Sequence, residues 1–163
     1  MIIVVEDGTG LENANSYASV AEADGYWTVR GNVSWTGSET EKETALIKAT
    51  DYIDLRWAGL LRGFRSTEEQ SLEFPRTVFL PVPLKLKAAC FEYALRALTA
   101  ELAPDPTHDD SNKDVIQRSE GLGRGALAES VRYASSRPNR FRRYPVPDAL
   151  MSPFINNSRR LIK

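Results

Sequence analysis

The chain has 163 residues, 42% of them hydrophobic and 26% charged, with a formal net charge of −1; this composition excludes a wholly disordered, collagenous or membrane-embedded protein. Its single cysteine, Cys90, and single histidine, His108, exclude an internal disulfide, a cysteine-rich zinc site and a paired-histidine metal motif. With no apolar run long enough to span a bilayer, and an opening that turns acidic at Glu6 and Asp7 unlike a secretory signal, the expectation is a soluble, intracellularly made, domain-sized protein.

In chain order, Ile2 to Val5 reads as a short strand, and Asp7-Gly-Thr-Gly10 as the turn after it. Ser19-Val-Ala-Glu22 has the form of a capping box, and it predicts a helix through Ala21, Ala23 and Trp27 that stops at Gly31. Gly25 inside that helix costs about 1 kcal/mol relative to Ala, so the helix needs packing. Ser38-Glu-Thr-Glu41 repeats the capping signal. Ala45, Leu46, Ala49, Ile53 and Trp57 then follow at three- and four-residue steps, predicting a helix from about Glu39 to Trp57. Glu43, Lys48, Asp51 and Asp54 fall mostly on its other side, where solvent is expected.

Gly59 to Arg76 reads as a long connection packed by Leu72, Phe74 and Phe79. After Pro81 and Pro83 a third helix is predicted from Leu84 to Leu102, apolar on most sides and therefore buried in the body or at a subunit interface. Pro104-Asp-Pro106 ends it. Val115 to Ser119 and Leu127 to Tyr133 form two strand candidates, with Gly121, Gly123 and Gly125 in the loop between them. One short helix fits between about Pro147 and Ile155. The fold class expected is mainly α: a small bundle of about three main helices with a β-hairpin near 114–133 and an extended, Pro-rich, basic C-terminal arm. The corresponding division is a body at 1–133 and an arm at 134–163. Trp27, Leu46, Ile53, Trp57, Phe91 and Leu95 are the expected core.

The near-zero net charge hides a split. Residues 1–110 carry a net −8 and residues 111–163 a net +7. The basic end is densest at Arg137, Arg140, Phe141, Arg142, Arg143 and Tyr144, and continues to Arg159 and Arg160. Such asymmetry points to a polyanion or an acidic protein surface. Cations interleaved with aromatics suit single-stranded nucleic acid, and equally a segment that orders on an acidic partner. No catalytic constellation accompanies them. Gly121-Leu-Gly-Arg-Gly125 lacks the Lys-Ser/Thr ending of a phosphate loop, His108 has no companion base or nucleophile, and Cys90 falls on an apolar helix face. Asp51 and Asp54 lack further oxygen ligands for a cation. The expectation is a non-enzymatic protein without cofactor or metal.

The opening Val4-Val-Glu-Asp-Gly-Thr-Gly-Leu-Glu-Asn-Ala-Asn-Ser-Tyr17, then Ser19-Val-Ala-Glu-Ala-Asp24, Ala45-Leu-Ile-Lys-Ala-Thr-Asp-Tyr52, Trp57 and Phe74-Pro-Arg-Thr77, resembles a family from tailed-phage genomes. Its members commonly carry a DnaT-like single-stranded-DNA-binding label and are similar to head–tail connector (adaptor) proteins. The resemblance covers residues 1–100 best. It implies a virion neck protein, made in the host bacterial cytoplasm, that assembles with itself into a ring, typically a dodecamer. That ring would sit below the portal protein and above a neck or tail-completion protein, with genomic DNA passing through its lumen and no membrane involved. The resemblance places the C-terminal segment on the portal, which makes Arg137, Arg140, Phe141, Arg142, Arg143, Tyr144, Arg159 and Arg160 the portal-docking candidates. The competing expectation is a DnaT-like single-stranded-DNA-binding protein that uses the same residues.

Overall fold

Two serine caps set the first two helices. In the computed structural model, which describes residues 3–104, 115–123, 126–133 and 141–156, helix α1 (Val20–Val29) starts at Ser19 and α2 (Glu39–Trp57) at Ser38. Each cap hydroxyl accepts the N3 amide of its helix, and each N3 glutamate, Glu22 or Glu41, reaches back to the cap backbone. Helix α1 closes in a Schellman arrangement: Gly31, at φ +61°, and Asn32 donate to the carbonyls of Thr28 and Trp27, each at 3.1 Å. A 3-10 turn (Ala58–Leu60) ends α2. Helix α3 (Leu84–Ala97) enters through Pro83, and α4 (Pro145–Met151) begins with a proline at its first turn before a second 3-10 turn (Ser152–Phe154). The protein is mainly helical.

Contacts divide the chain into two compact units, Met1–Leu102 with Arg143–Lys163, and Ala103–Arg142. This differs from the expected body at 1–133 and arm at 134–163. In the first unit α3 packs against both α2 and α4. Residues 144–156 are therefore part of the body and not an extended arm: Tyr144, Pro147, Met151 and Phe154 are buried, and that apolar content outweighs the irregularity its prolines impose. Asn156 N–H donates to Leu60 O at 2.8 Å and Arg62 N–H to Phe154 O at 2.9 Å, stitching the segment's end to the exit of α2.

Ala23, Trp27, Leu46, Ile53, Trp57, Leu86, Cys90, Phe91, Tyr93 and Met151 form the core. Leu95, an expected core residue, is only half-buried. Helix α3 is also shorter and more one-sided than its composition implied. It ends at Ala97, and Leu84 at its first position is 84% exposed. The long 59–76 connection packs through buried Leu72 and Phe74, the Phe74 ring standing edge-on to Phe154 of the C-terminal segment and tilted against Phe79.

The opening motif folds around an acid. Glu6, 1% exposed, accepts the N–H groups of Gly8 and Gly10 on one carboxylate oxygen and that of Leu11 on the other, each at 2.9 Å. Gly8 and Gly10 take φ of +102° and +87°, and a Cβ on Gly10 would lie 2.9 Å from Thr67 Oγ1. The Asp7-Gly-Thr-Gly10 turn is thus wrapped on the preceding glutamate.

In the second unit the backbone of β1 (Val115–Gly123) pairs antiparallel with β2 (Ala126–Tyr133), in a register running from Val115 opposite Tyr133 to Gly123 opposite Ala126. Gly121 and Gly123, expected in the connecting loop, are paired strand residues.

Candidate functional site

Of the eight docking candidates, Arg137, Arg140, Arg159 and Arg160 lie outside the described residues, as does His108. Arg142 and Arg143 are exposed, and Phe141 is half-buried. Tyr144 is 8% exposed and belongs to the interior. Its hydroxyl donates to Leu102 O at 3.0 Å, and its ring stands edge-on to Tyr52 and Tyr93. The sequence placed Tyr144 on a docking arm; it is instead the anchor that holds the returning segment.

That segment is clamped through Asp148. One Asp148 oxygen accepts the Tyr93 hydroxyl at 2.6 Å; the other accepts Arg56 at 2.6 Å and the Tyr144 backbone N–H at 3.1 Å. Arg56 also donates to the Tyr52 hydroxyl at 2.7 Å and lies over the Trp57 ring. Burial, followed by the bond to the Asp148 carboxylate, raises the Tyr93 pKa well above the ordinary phenol value.

A second polar cluster joins α2 to the start of the chain. Tyr17, fully buried, donates its hydroxyl to Asp54; Phe74 N–H donates back to that hydroxyl at 3.2 Å, and Glu73 N–H donates to Asp54 at 3.0 Å. Asp54 was expected on a solvated helix face. Burial raises its carboxyl to about 7, with the Tyr17 and Glu73 bonds opposing and the Glu73 and Asp51 charges adding to the rise. Next to this cluster Cys90 is fully buried, as expected, 3.6 Å from Thr50 Oγ1, and burial pushes its thiol up to about 12. Among the described residues no group of three or more His, Cys, Asp or Glu is placed to hold a metal ion, and no helix is long and apolar enough to cross a membrane.

The third cluster presents a side chain to solvent. Arg76, 6% exposed, donates to the carbonyls of Arg62 at 2.9 Å and Gly63 at 2.5 Å and to the Glu73 carboxylate at 2.6 Å. Across the turn, Thr77 N–H donates to Phe64 O at 2.9 Å, and Phe64 N–H donates to Thr77 Oγ1 at 3.2 Å. Gly63 sits at φ +72°, where a Cβ would come within 2.7 Å of Val78. The backbone around Phe64 is thereby braced on both sides, while its ring is 81% exposed between exposed Arg62 and Arg65. An open groove of about 640 Å³ runs beside it, lined by Phe64, Arg65 and Glu68 among others. This turn is not among the candidates expected from the sequence. The signal was present in Arg62-Gly-Phe-Arg65, the same mixture of cation and aromatic that drew attention to the C-terminal end.

The family model described as "Putative DnaT-like ssDNA binding protein" matches residues 1–162. No curated protein and no solved structure matches the chain.

Proposed function

The chain belongs to the DnaT-like ssDNA binding protein family, and we propose on that premise that it binds single-stranded DNA without acting as an enzyme. The observation that carries this reading is the extent of the match, from residue 1 to residue 162. The net +7 of residues 111–163 supports it, because cationic segments gain affinity by releasing counterions from phosphates. The test is fluorescence anisotropy of a labelled oligothymidine against protein concentration over a salt series. Binding at 50 mM salt that weakens steeply by 200 mM is expected. No binding at 50 mM overturns the reading.

A second reading is a structural head–tail adaptor in the neck of a tailed-phage virion. It is favoured by one observation: Val29, Val33 and Leu84 are 86%, 89% and 84% exposed, apolar surface of the kind a subunit interface covers. In this reading the chain closes with itself into a ring, proposed as a dodecamer. The portal protein lies above, a neck or tail-completion protein lies below, and genomic DNA passes through the lumen. Arg142 and Arg143, together with Arg137, Arg140, Arg159 and Arg160, would face the portal, while Tyr144 stays inside the subunit. Light scattering and negative-stain microscopy of the protein with its portal decide between the readings. Stacked rings support the adaptor; monomers that bind oligothymidine remove it.

A further inference from the structure

A large aromatic ring held in solvent on a braced turn differs from one on a loose loop. Phe64 is 81% exposed, whereas Phe74, Phe79 and Phe154 pack ring against ring. Its backbone is not free to turn the ring inward. The carbonyls of Arg62 and Gly63 are held by the buried Arg76 guanidinium, both backbone groups of Phe64 are held by Thr77, and Gly63 occupies a left-handed position with no room for a Cβ. Four hydrogen bonds and one close approach therefore fix the backbone that carries the ring, and preorganisation of this kind lowers the entropy lost on binding. Exposed cations flank it at Arg62 and Arg65.

We infer that the Arg62–Phe64–Arg65 turn is a base-stacking contact for single-stranded DNA, with Phe64 against the face of one base and the two arginines on flanking phosphates. The inference rests on the single-stranded-DNA reading above and names the residues that would carry it. Every base offers a π-face of similar area, so the contact tolerates any sequence. A duplex hides both faces of its bases in the stack, so the contact prefers single strands. The electrostatic share is small. Arg62 lies over the Phe79 ring, Arg65 donates to Glu68 O at 3.3 Å, and Glu68 lines the same groove, so the two arginines set an upper limit of two phosphates for this turn.

The experiment compares wild type, Phe64→Ala, Phe64→Leu and Phe64→Trp, each binding labelled oligothymidine and a duplex of the same length at 50 mM salt, with thermal melting as the check on folding. Because the ring is exposed, melting should not move. Phe64→Ala and Phe64→Leu should bind the single strand roughly 5- to 150-fold more weakly, the range a lost base–aromatic stack spans, with duplex binding unchanged. Phe64→Trp should retain affinity, and its added indole fluorescence should be quenched by the oligonucleotide. Removing Arg62 or Arg65 should lower the slope of log affinity against log salt by about 0.7 each. Wild-type binding that Phe64→Ala leaves intact overturns this contact and spares the function. Absence of wild-type binding overturns both. If Phe64→Ala and Phe64→Leu instead dissolve a self-assembled ring and leave DNA affinity untouched, the turn is a protein contact and the inference fails.

Discussion

The guanidinium of Arg56 on α2 meets the carboxylate of Asp148 on α4 at 2.6 Å, across 92 positions of sequence. Both side chains are largely out of solvent, at 10% and 19% exposure, and the same carboxylate takes the Tyr93 hydroxyl and the Tyr144 amide. Removing the acid takes the carboxylate away from a largely buried cation and from two further donors. Asp148→Ala should therefore cost about 3 kcal/mol in urea unfolding, as breaking a buried pair does. The loss should be accompanied by faster proteolytic cleavage near 143–156. Unchanged stability would mean that the C-terminal segment is held by Tyr144, Met151 and Phe154 alone.

Asp54 links stability to pH. Its folded-state pKa, raised from 3.8 to about 7 by burial, means that the native protein binds this proton more tightly than the unfolded chain. Its stabilising contribution is thus fully present below about pH 4, and it is lost as pH rises through 7. The difference in melting temperature between wild type and Asp54→Asn should change in that direction between pH 5 and 8, since the amide does not titrate. A difference that stays constant across the window would show that Asp54 is ionised throughout.

Glu6 organises the opening turn by accepting three amides. Glu6→Gln keeps the shape but replaces one acceptor oxygen with a donor, so at least one of these amides loses its partner, at a cost of about 1–3 kcal/mol. Gly10→Ala attacks the same turn through its φ of +87° and the 2.9 Å approach to Thr67, and should destabilise by a similar amount. Chemical denaturation of the two single variants and of the double variant checks both. Less-than-additive losses are expected because the two act on one turn.

Cys90 should be inert in the native protein. It is fully buried and its thiol is pushed up to about 12, so little thiolate exists at pH 8. Ellman's reagent should label it only at the rate of unfolding, and promptly in urea. Rapid labelling of the folded protein would show that the α2–α3 packing opens on its own.

What sequence made legible was local. Helix α2 begins and ends where the Ser38–Glu41 box and the spacing of Ala45 to Trp57 place it, because caps and periodicity involve residues within four positions of each other. The burial of Cys90 and the packing of the 59–76 connection by Leu72 and Phe74 follow from apolar character alone. Leu95 and the far end of α3 were misjudged because composition describes how apolar a helix is, and not which side its neighbours cover.

Charged and aromatic residues owe their places to partners distant in sequence. Asp54 looks like any polar position on a helix until Tyr17 and Glu73, 37 and 19 positions away, close over it. Tyr144 reads as a docking residue because the partners that offset its burial, Leu102 and Asp148, are assembled only by folding, and the burial of Arg76 likewise depends on the carbonyls of the 62–63 turn. Composition and short-range spacing therefore determined the bounds of α2 and the charge split between the acidic and basic parts, while the family likeness rested on the residues of the opening motif and those that follow it. The fold decided which aromatic faces water. It drew Tyr144 inside, because the rings of Tyr52 and Tyr93 and the Leu102 carbonyl satisfy both its ring and its hydroxyl, and it left Phe64 81% exposed on the turn that Arg76 and Thr77 hold.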